Sequence, residues 1–263
     1  MNSLRFTSCH APNLDPTCRT ITQYISERLA LHIELVDDID WADRYARLDR
    51  GEIDIAWICG LPYVRRADQA NVNIELLAAP IWRGERYQGY PIYYSDVVVR
   101  RESRFQNFDQ LQGAAWVYND HGSLSGYAAM RHYLITSGKS PKFFGATVES
   151  GGHLKSLQML LDQQADVAAI DSIVLEQQLH TTPELADQLR IITTIGPNPA
   201  MPWVIARHVP ITIHGAIRAL LLNMQAELVG QTLLAQGPIA HFAPVTDQHY
   251  NPIREILHSI ATS

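Results

Sequence analysis

Two successive stretches of the chain alternate short β-branched runs with apolar residues at helical spacing, and this alternation constrains the fold more than any other feature. The pattern belongs to layered α/β domains built on a mainly parallel sheet. In the first stretch, residues 4–8 read as a strand. Asp15 and Pro16 then give a cap and a first-turn proline, and Ile21, Tyr24, Ile25 and Leu29 form one apolar stripe, so a helix follows. Residues 33–36 read as a second strand, and Trp41, Tyr45 and Leu48 mark a second helix. The almost uninterrupted apolar run 53–57 reads as a strand buried on both faces. It ends in Cys59, Gly60, Leu61, Pro62 and Tyr63, a strand-to-helix turn at the end of the sheet where open α/β folds bind ligands.

After a strand at 74–79, the polar segment 83–89 carries two glycines before a strand resumes at 93–99, which reads as a crossing between lobes. The same alternation then repeats. Strands are expected at 114–118, near Phe143 and Phe144, and at 166–170. Helices are expected from Ser125, with Tyr127, Met130 and Leu134 on one face, and from His153, with Leu154, Leu157 and Leu161. Residues 191–195 lead into Gly196, Pro197, Asn198 and Pro199, a turn-rich break that suits a second crossing. Beyond it, Ile213, Ile217, Leu220, Leu221, Met224 and Leu228 trace one long amphipathic helix, and 252–260 a short one. Two crossings give two lobes: residues 1–90 with 197–263, and an inserted lobe at 91–196. Hinge closure over a ligand is the motion such a topology permits.

With 263 residues, of which 46% are hydrophobic and 18% charged, the chain can bury the cores that this architecture needs. A net charge of -6 and the absence of a Lys/Arg stripe exclude a nucleic-acid binder, and Arg65–Arg66 and Arg100–Arg101 read as solvated faces. No apolar run approaches the roughly 20 residues of a membrane span. The start at Met1, Asn2 and Ser3 lacks the marks of a leader, which implies a periplasmic protein if a leader has been removed and a cytoplasmic one otherwise. Cys9, Cys18 and Cys59 have no zinc-type spacing. Cys9 and Cys18 read as buried free thiols, with a disulfide between them as the alternative in an exported protein. P-loop, dinucleotide fingerprint and Gly-x-Ser-x-Gly elbow are all missing, so no metal or cofactor is expected.

The segment from Tyr118 to Tyr127, Tyr-Asn-Asp-His-Gly-Ser-Leu-Ser-Gly-Tyr, lies between a strand and a helix. A helix start offers unpaired N–H groups and about half a positive charge, enough to bind an anion without any arginine or lysine. Ser123 and Ser125 add hydroxyls, and Gly126 admits a close backbone approach. A serine that only caps the helix is the competing reading.

This segment resembles the Ser-x-Ser-Gly element with which the substrate-binding proteins of phosphonate and phosphite importers hold their ligand. Asp54-Ile55-Ala56-Trp57 with Gly60-Leu61-Pro62-Tyr63-Val64 is similar to that family's first-lobe element. Glu149 to His153 with Ala165 to Asp171 is similar to its second-lobe element, and Phe242 to Tyr250 resembles its tail. His121 departs from the pattern. The resemblance implies a type II periplasmic-binding-protein fold, a small oxyanion as ligand and an ABC transporter permease as partner. It assigns the cradle to Ser123, Ser125 and the amides of Gly126 and Tyr127, with His153 as a further donor, which on its own residue context is equally a surface histidine. Tyr63 is either a hydroxyl closing over the ligand or a packed ring. Asp171 is either a helix cap or a carboxylate that selects a protonated or amino-bearing ligand. Tyr93 and Tyr94 either wall the site or alternate along a strand. The nearest enzyme-like feature is Cys9–His10, because some relatives of this fold are cytoplasmic enzymes of menaquinone assembly and thiamine-pyrimidine synthesis. A ligand sensor would share the same site.

Overall fold

The structure, a computed structural model, describes residues 3–262. Along the chain run β1 (Ser3–Ser8), α1 (Asp15–Leu29), β2 (His32–Leu35), α2 (Trp41–Asp49), β3 (Ile55–Trp57), α3 (Gly60–Ala67), β4 (Ile74–Trp82) and β5 (Ile92–Arg100). There follow β6 (Ala115–Tyr118), α4 (Ala129–Thr136), β7 (Ala146–Glu149), α5 (His153–Leu161), β8 (Val167–Asp171), α6 (Ser172–Thr181) and β9 (Leu189–Pro199). The last are β10 (Trp203–Ala206), α7 (Ile211–Asn223), α8 (Leu228–Leu234), β11 (Ile239–Ala243) and α9 (Asn251–Ala261). The chain divides into two compact units, one holding the described residues up to Ile92 together with Pro199–Tyr250, the other Tyr93–Asn198 and the chain from Asn251.

In the first unit a six-stranded sheet runs β11-β4-β10-β3-β1-β2. β1 pairs in parallel with β2 and β3, whereas β10 is antiparallel to β3 and β4, and β11 to β4. The sheet is therefore mixed rather than mainly parallel, because β10 and β11, which carry no strong sequence signal, return into it. Trp57, Trp203 and Phe6 stack in its core.

The second unit has a five-stranded sheet, β7-β6-β8-β5-β9. Its central strands β6, β8 and β5 bury both faces, as their continuous apolar runs require. Val97, Trp116, Val167 and Ala169 enter one core, and their neighbours Val98, Val117, Ala168 and Ile170 enter the other. Period-two alternation thus serves two hydrophobic layers.

Several expectations change. Phe143 and Phe144 are not a strand; they are buried in a loop against Phe108 and Trp116, and the strand begins at Ala146. β9 continues through residues 196–199 to Pro199 rather than breaking into a turn, and the chain passes to the first unit between Asn198 and Pro199. Segment 83–89 stays within the first unit, and the chain crosses after Ile92. The long C-terminal helix is interrupted by a tight turn at Met224–Ala226, leaving α7 and α8. Finally, α9, placed by sequence with the first lobe, packs on α4 in the second unit. Cys9, Cys18 and Cys59 are free thiols. Among the described residues no helix is long and apolar enough to cross a membrane, and no side-chain cluster is arranged to hold a metal. Of the expected leaderless start, Met1 and Asn2 lie outside the described residues.

Candidate functional site

The polar residues of the second unit gather at the C-terminal ends of its parallel strands β6 and β8, the end of an α/β sheet where loops are free to bind ligands. From Tyr118, at the end of β6, the chain turns at Asp120, whose carboxylate accepts the Gly122 N–H at 2.5 Å and whose carbonyl accepts the Ser123 N–H at 3.0 Å. Leu124–Ala128 then form one turn of π-helix that leads directly into α4. The Ala128 N–H reaches back five residues to the Ser123 carbonyl at 3.0 Å. A wide turn of this kind is rare and is frequently found at functional sites.

Ser123 caps this turn: its Oγ accepts the Gly126 N–H at 3.1 Å. The Gly126 amide expected to hold an anion is therefore engaged by the cap, while the Ser123 hydroxyl keeps its own proton to donate. Ser125, 3% exposed, lies with its Oγ 3.2 Å from His153 Nε2. The Tyr127 ring turns away into an aromatic cluster, stacked on Trp116 at 5.6 Å and edge-on to His121 at 4.5 Å, which leaves the backbone N–H as the group of Tyr127 that could face an anion. His121, the departure from the family pattern, lies outside the cradle, its Nε2 2.8 Å from the Tyr118 hydroxyl and 3.6 Å from Glu149.

His153 opens α5 and is buried. The turn before it is fixed by Ser150, whose hydroxyl donates within a cluster of the Tyr118 and Gly152 carbonyls and lies 2.7 Å from Ser156 Oγ. Burial alone pushes the His153 pKa down to about 3, so the ring is neutral at physiological pH. Asp171, at the end of β8, caps α6: its Oδ1 accepts the N–H groups of Ile173 at 2.9 Å and Val174 at 3.4 Å. Burial raises its pKa to about 7 against the lowering effect of those two bonds. Beside it Ser172 Oγ accepts the Tyr94 N–H at 3.0 Å, and Asp96 accepts from the Thr194 hydroxyl at 2.8 Å. Tyr93 is 1% exposed in β5.

Asn119 escaped the sequence reading. It is 3% exposed, next to the cradle, and its Oδ1 has no hydrogen-bond partner. Its position at the end of a parallel strand was the available signal; an unremarkable amide between Tyr118 and Asp120 carries no other. Gly126 is required by this side chain, since a Cβ there would lie 1.7 Å from Asn119 Oδ1. The close approach expected at Gly126 is thus made by Asn119.

In the first unit the Tyr63 hydroxyl donates to Asp247 at 2.9 Å and its ring packs on Tyr250 at 4.6 Å. The Cys9–His10 pair is not assembled. Cys9 is buried with its thiol pushed up to about 12, the opposite of an activated nucleophile, and His10 Nδ1 lies 3.8 Å from Cys59 instead.

The cradle thus offers backbone amides, two hydroxyls and a neutral imidazole, and residues 118–128 contain no Lys or Arg. Such a site can hold a small anion by hydrogen bonding alone. Residues 11–250 match the family model of ABC transporter phosphonate periplasmic substrate-binding proteins. The phosphonates-binding periplasmic protein of Escherichia coli K12 is 23% identical over 251 residues, covering 93% of this chain and 72% of that protein. A binding-protein component of a phosphonate ABC transporter from Pseudomonas aeruginosa superimposes with a TM-score of 0.85 at 20% identity, over 98% of this chain and 86% of the other. PhnD1 from Prochlorococcus marinus, solved with methylphosphonate, gives a TM-score of 0.85 at 16% identity, over 100% of this chain and 99% of the other.

Proposed function

We propose that this chain, which belongs to the phosphonate periplasmic substrate-binding protein family of ABC transporters, captures a small alkylphosphonate on the π-turn Leu124–Ala128 and passes it to a membrane permease. The family is one of receptors, not enzymes, and its members are periplasmic. The observation that carries the reading is the convergence of Ser123, Ser125 and His153 on one helix start, with every donor neutral. Hydroxyl and amide donors complement the oxygens of a phosphorus oxyanion, and the helix start supplies partial positive charge that falls off within a turn. Ser123, Ser125 and the Tyr127 amide form the contact set, with His153 behind Ser125 as its hydrogen-bond partner. Asp171 and Tyr93 line the same end of the sheet, Asp171 as a carboxyl that is half protonated near neutrality and able to donate to an anion.

Methylphosphonate is the ligand to test. At about a hundred times its dissociation constant it stabilises the folded state by roughly 2.7 kcal/mol, read as a rise in melting temperature. Ser125→Ala removes a buried partner of the ligand and weakens binding by about 1–3 kcal/mol in calorimetry. A melting temperature that no phosphonate raises overturns the reading.

A further inference from the structure

Two buried polar side-chain atoms beside the π-turn have no hydrogen-bond partner: Asn119 Oδ1 and His153 Nδ1. Both residues are more than nine-tenths buried. They meet across Gly126, where the position of an ideal Cβ is 1.7 Å from Asn119 Oδ1 and 3.1 Å from His153 Cε1, the ring carbon between Nδ1 and Nε2. The carboxamide oxygen and the Cε1 corner of the ring therefore border the same small space, and with Nε2 turned to Ser125, Nδ1 is the ring nitrogen left to face a partner.

A carboxamide oxygen only accepts, and a neutral imidazole carries one N–H and one lone pair. A ring proton on Nδ1 gives Asn119 Oδ1 a donor, reached by a small shift or through one water. A proton on Nε2 instead sets two buried acceptors side by side with nothing to satisfy either. Unsatisfied buried groups are penalised enough to favour the first tautomer by about tenfold or more. With Nδ1 protonated, Nε2 is the acceptor of its 3.2 Å contact, and Ser125 must be the donor. The single Ser125 proton is then used, and its oxygen presents lone pairs to whatever occupies the cradle.

We infer that Asn119 is a positioning residue which, through the His153 tautomer, makes Ser125 a hydrogen-bond acceptor, so that the site selects oxyanions that retain a proton. The inference rests on the reading of the cradle as an oxyanion site. A phosphonate monoanion supplies one P–OH to Ser125 and accepts at its remaining oxygens from the turn amides and Ser123. A dianion or a sulfonate sets oxygen lone pairs against oxygen lone pairs. No charged side chain contributes to the ionisation of the ring: burial is the sole cause of its lowered pKa, while Glu149 and Lys155, on β7 and α5, are exposed. Asp171 is the cradle-side group that itself titrates near neutrality, so Asp171→Asn separates its protonation from that of the ligand.

The test combines imidazole nitrogen NMR on histidine-labelled protein with calorimetry. His153 is expected as the Nδ1–H tautomer, and Asn119→Leu, which removes the acceptor without admitting water, moves it to Nε2–H. Methylphosphonate affinity is expected to fall at least about tenfold between pH 6 and pH 9, in Asp171→Asn as in the parent, as the monoanion disappears. Methanesulfonate, with no acidic proton in this range, fails to bind the parent and gains affinity in Asn119→Leu, whose Ser125 proton is released. An Nε2–H tautomer in the parent overturns the inference, as does a methylphosphonate affinity that is unchanged from pH 6 to pH 9. Should the tautomer be Nδ1–H while methylphosphonate binds at no pH, it is the assignment of the cradle to phosphonates that fails.

Discussion

At the scale of single residues, His153 and Asp171 place opposite protonation demands on folding. His153 is neutral when folded, with a pKa of about 3, and titrates near its ordinary value of 6.5 when unfolded. Between those values the unfolded chain binds the extra proton, so the stability owed to a neutral ring is complete above pH 6.5 and is lost as the pH falls. Asp171, raised from 3.8 to about 7, works in the other sense: the folded state holds the proton, and stability declines as the pH rises from about 4 to 7. The two slopes overlap and partly cancel in the parent. His153→Gln removes the first slope. Relative to the parent, the variant is expected to be about 2 kcal/mol better off at pH 5 than at pH 7.5, measured by urea unfolding at both values. Equal differences at the two pH values would show that the ring is not buried neutral. Both residues were legible in sequence as a histidine and an aspartate at helix starts. Their burial was not, because it depends on the Tyr118–Ser150 contacts and the strand β5 beside Asp171, which are remote in sequence.

At the scale of elements, the π-turn shows how far local patterning reaches. Ser123 as a cap and the helix stripe through Met130 and Leu134 were readable from spacing alone, and both residues of that stripe are buried. The extra residue in the turn was not readable, because a five-residue turn leaves the same cap and the same apolar stripe in the sequence as a four-residue one. Gly126→Ala forces a methyl into that side chain, and destabilisation of about 1–3 kcal/mol is expected, the cost of overpacking a filled site. Asn119→Ala in the same chain removes both the Oδ1 at 1.7 Å and the Cγ at 2.8 Å from the new methyl. The double variant should recover more than half of the loss in thermal unfolding; no recovery would mean that Gly126 serves the backbone instead. The other misreadings have similar causes. Phe143 and Phe144 have the composition of a strand, yet ring contacts with Phe108 and Trp116 hold them in a loop. Two prolines within β9 look like a break, but an edge strand tolerates residues that cannot donate to a ladder.

At the scale of the whole molecule, the chain passes between its two units three times: after Ile92, after Asn198 and after Tyr250. Two of these passages were visible in sequence as polar or proline-rich segments, displaced by a few residues. The third was not, because Phe242 to Tyr250 and α9 run together with no glycine-rich or low-complexity seam. Ending the chain after Tyr250 removes α9, whose buried Ile253 and Ile256 belong to the second unit. Hydrogen exchange of this truncated form should show lost protection in α4 and the π-turn with the first unit's sheet unchanged, and methylphosphonate binding should weaken. Uniform loss across both units would show that α9 supports the whole fold. The position of α9 also bears on the order in which the two units become complete along the chain. Although the cradle lies near the middle of the chain, the helix behind it lacks its packing partner until residues 251–261 have been made. Both segments of the first unit thus precede residue 251, while the second unit still waits for its last helix, so the unit begun later in the chain is also the one finished last.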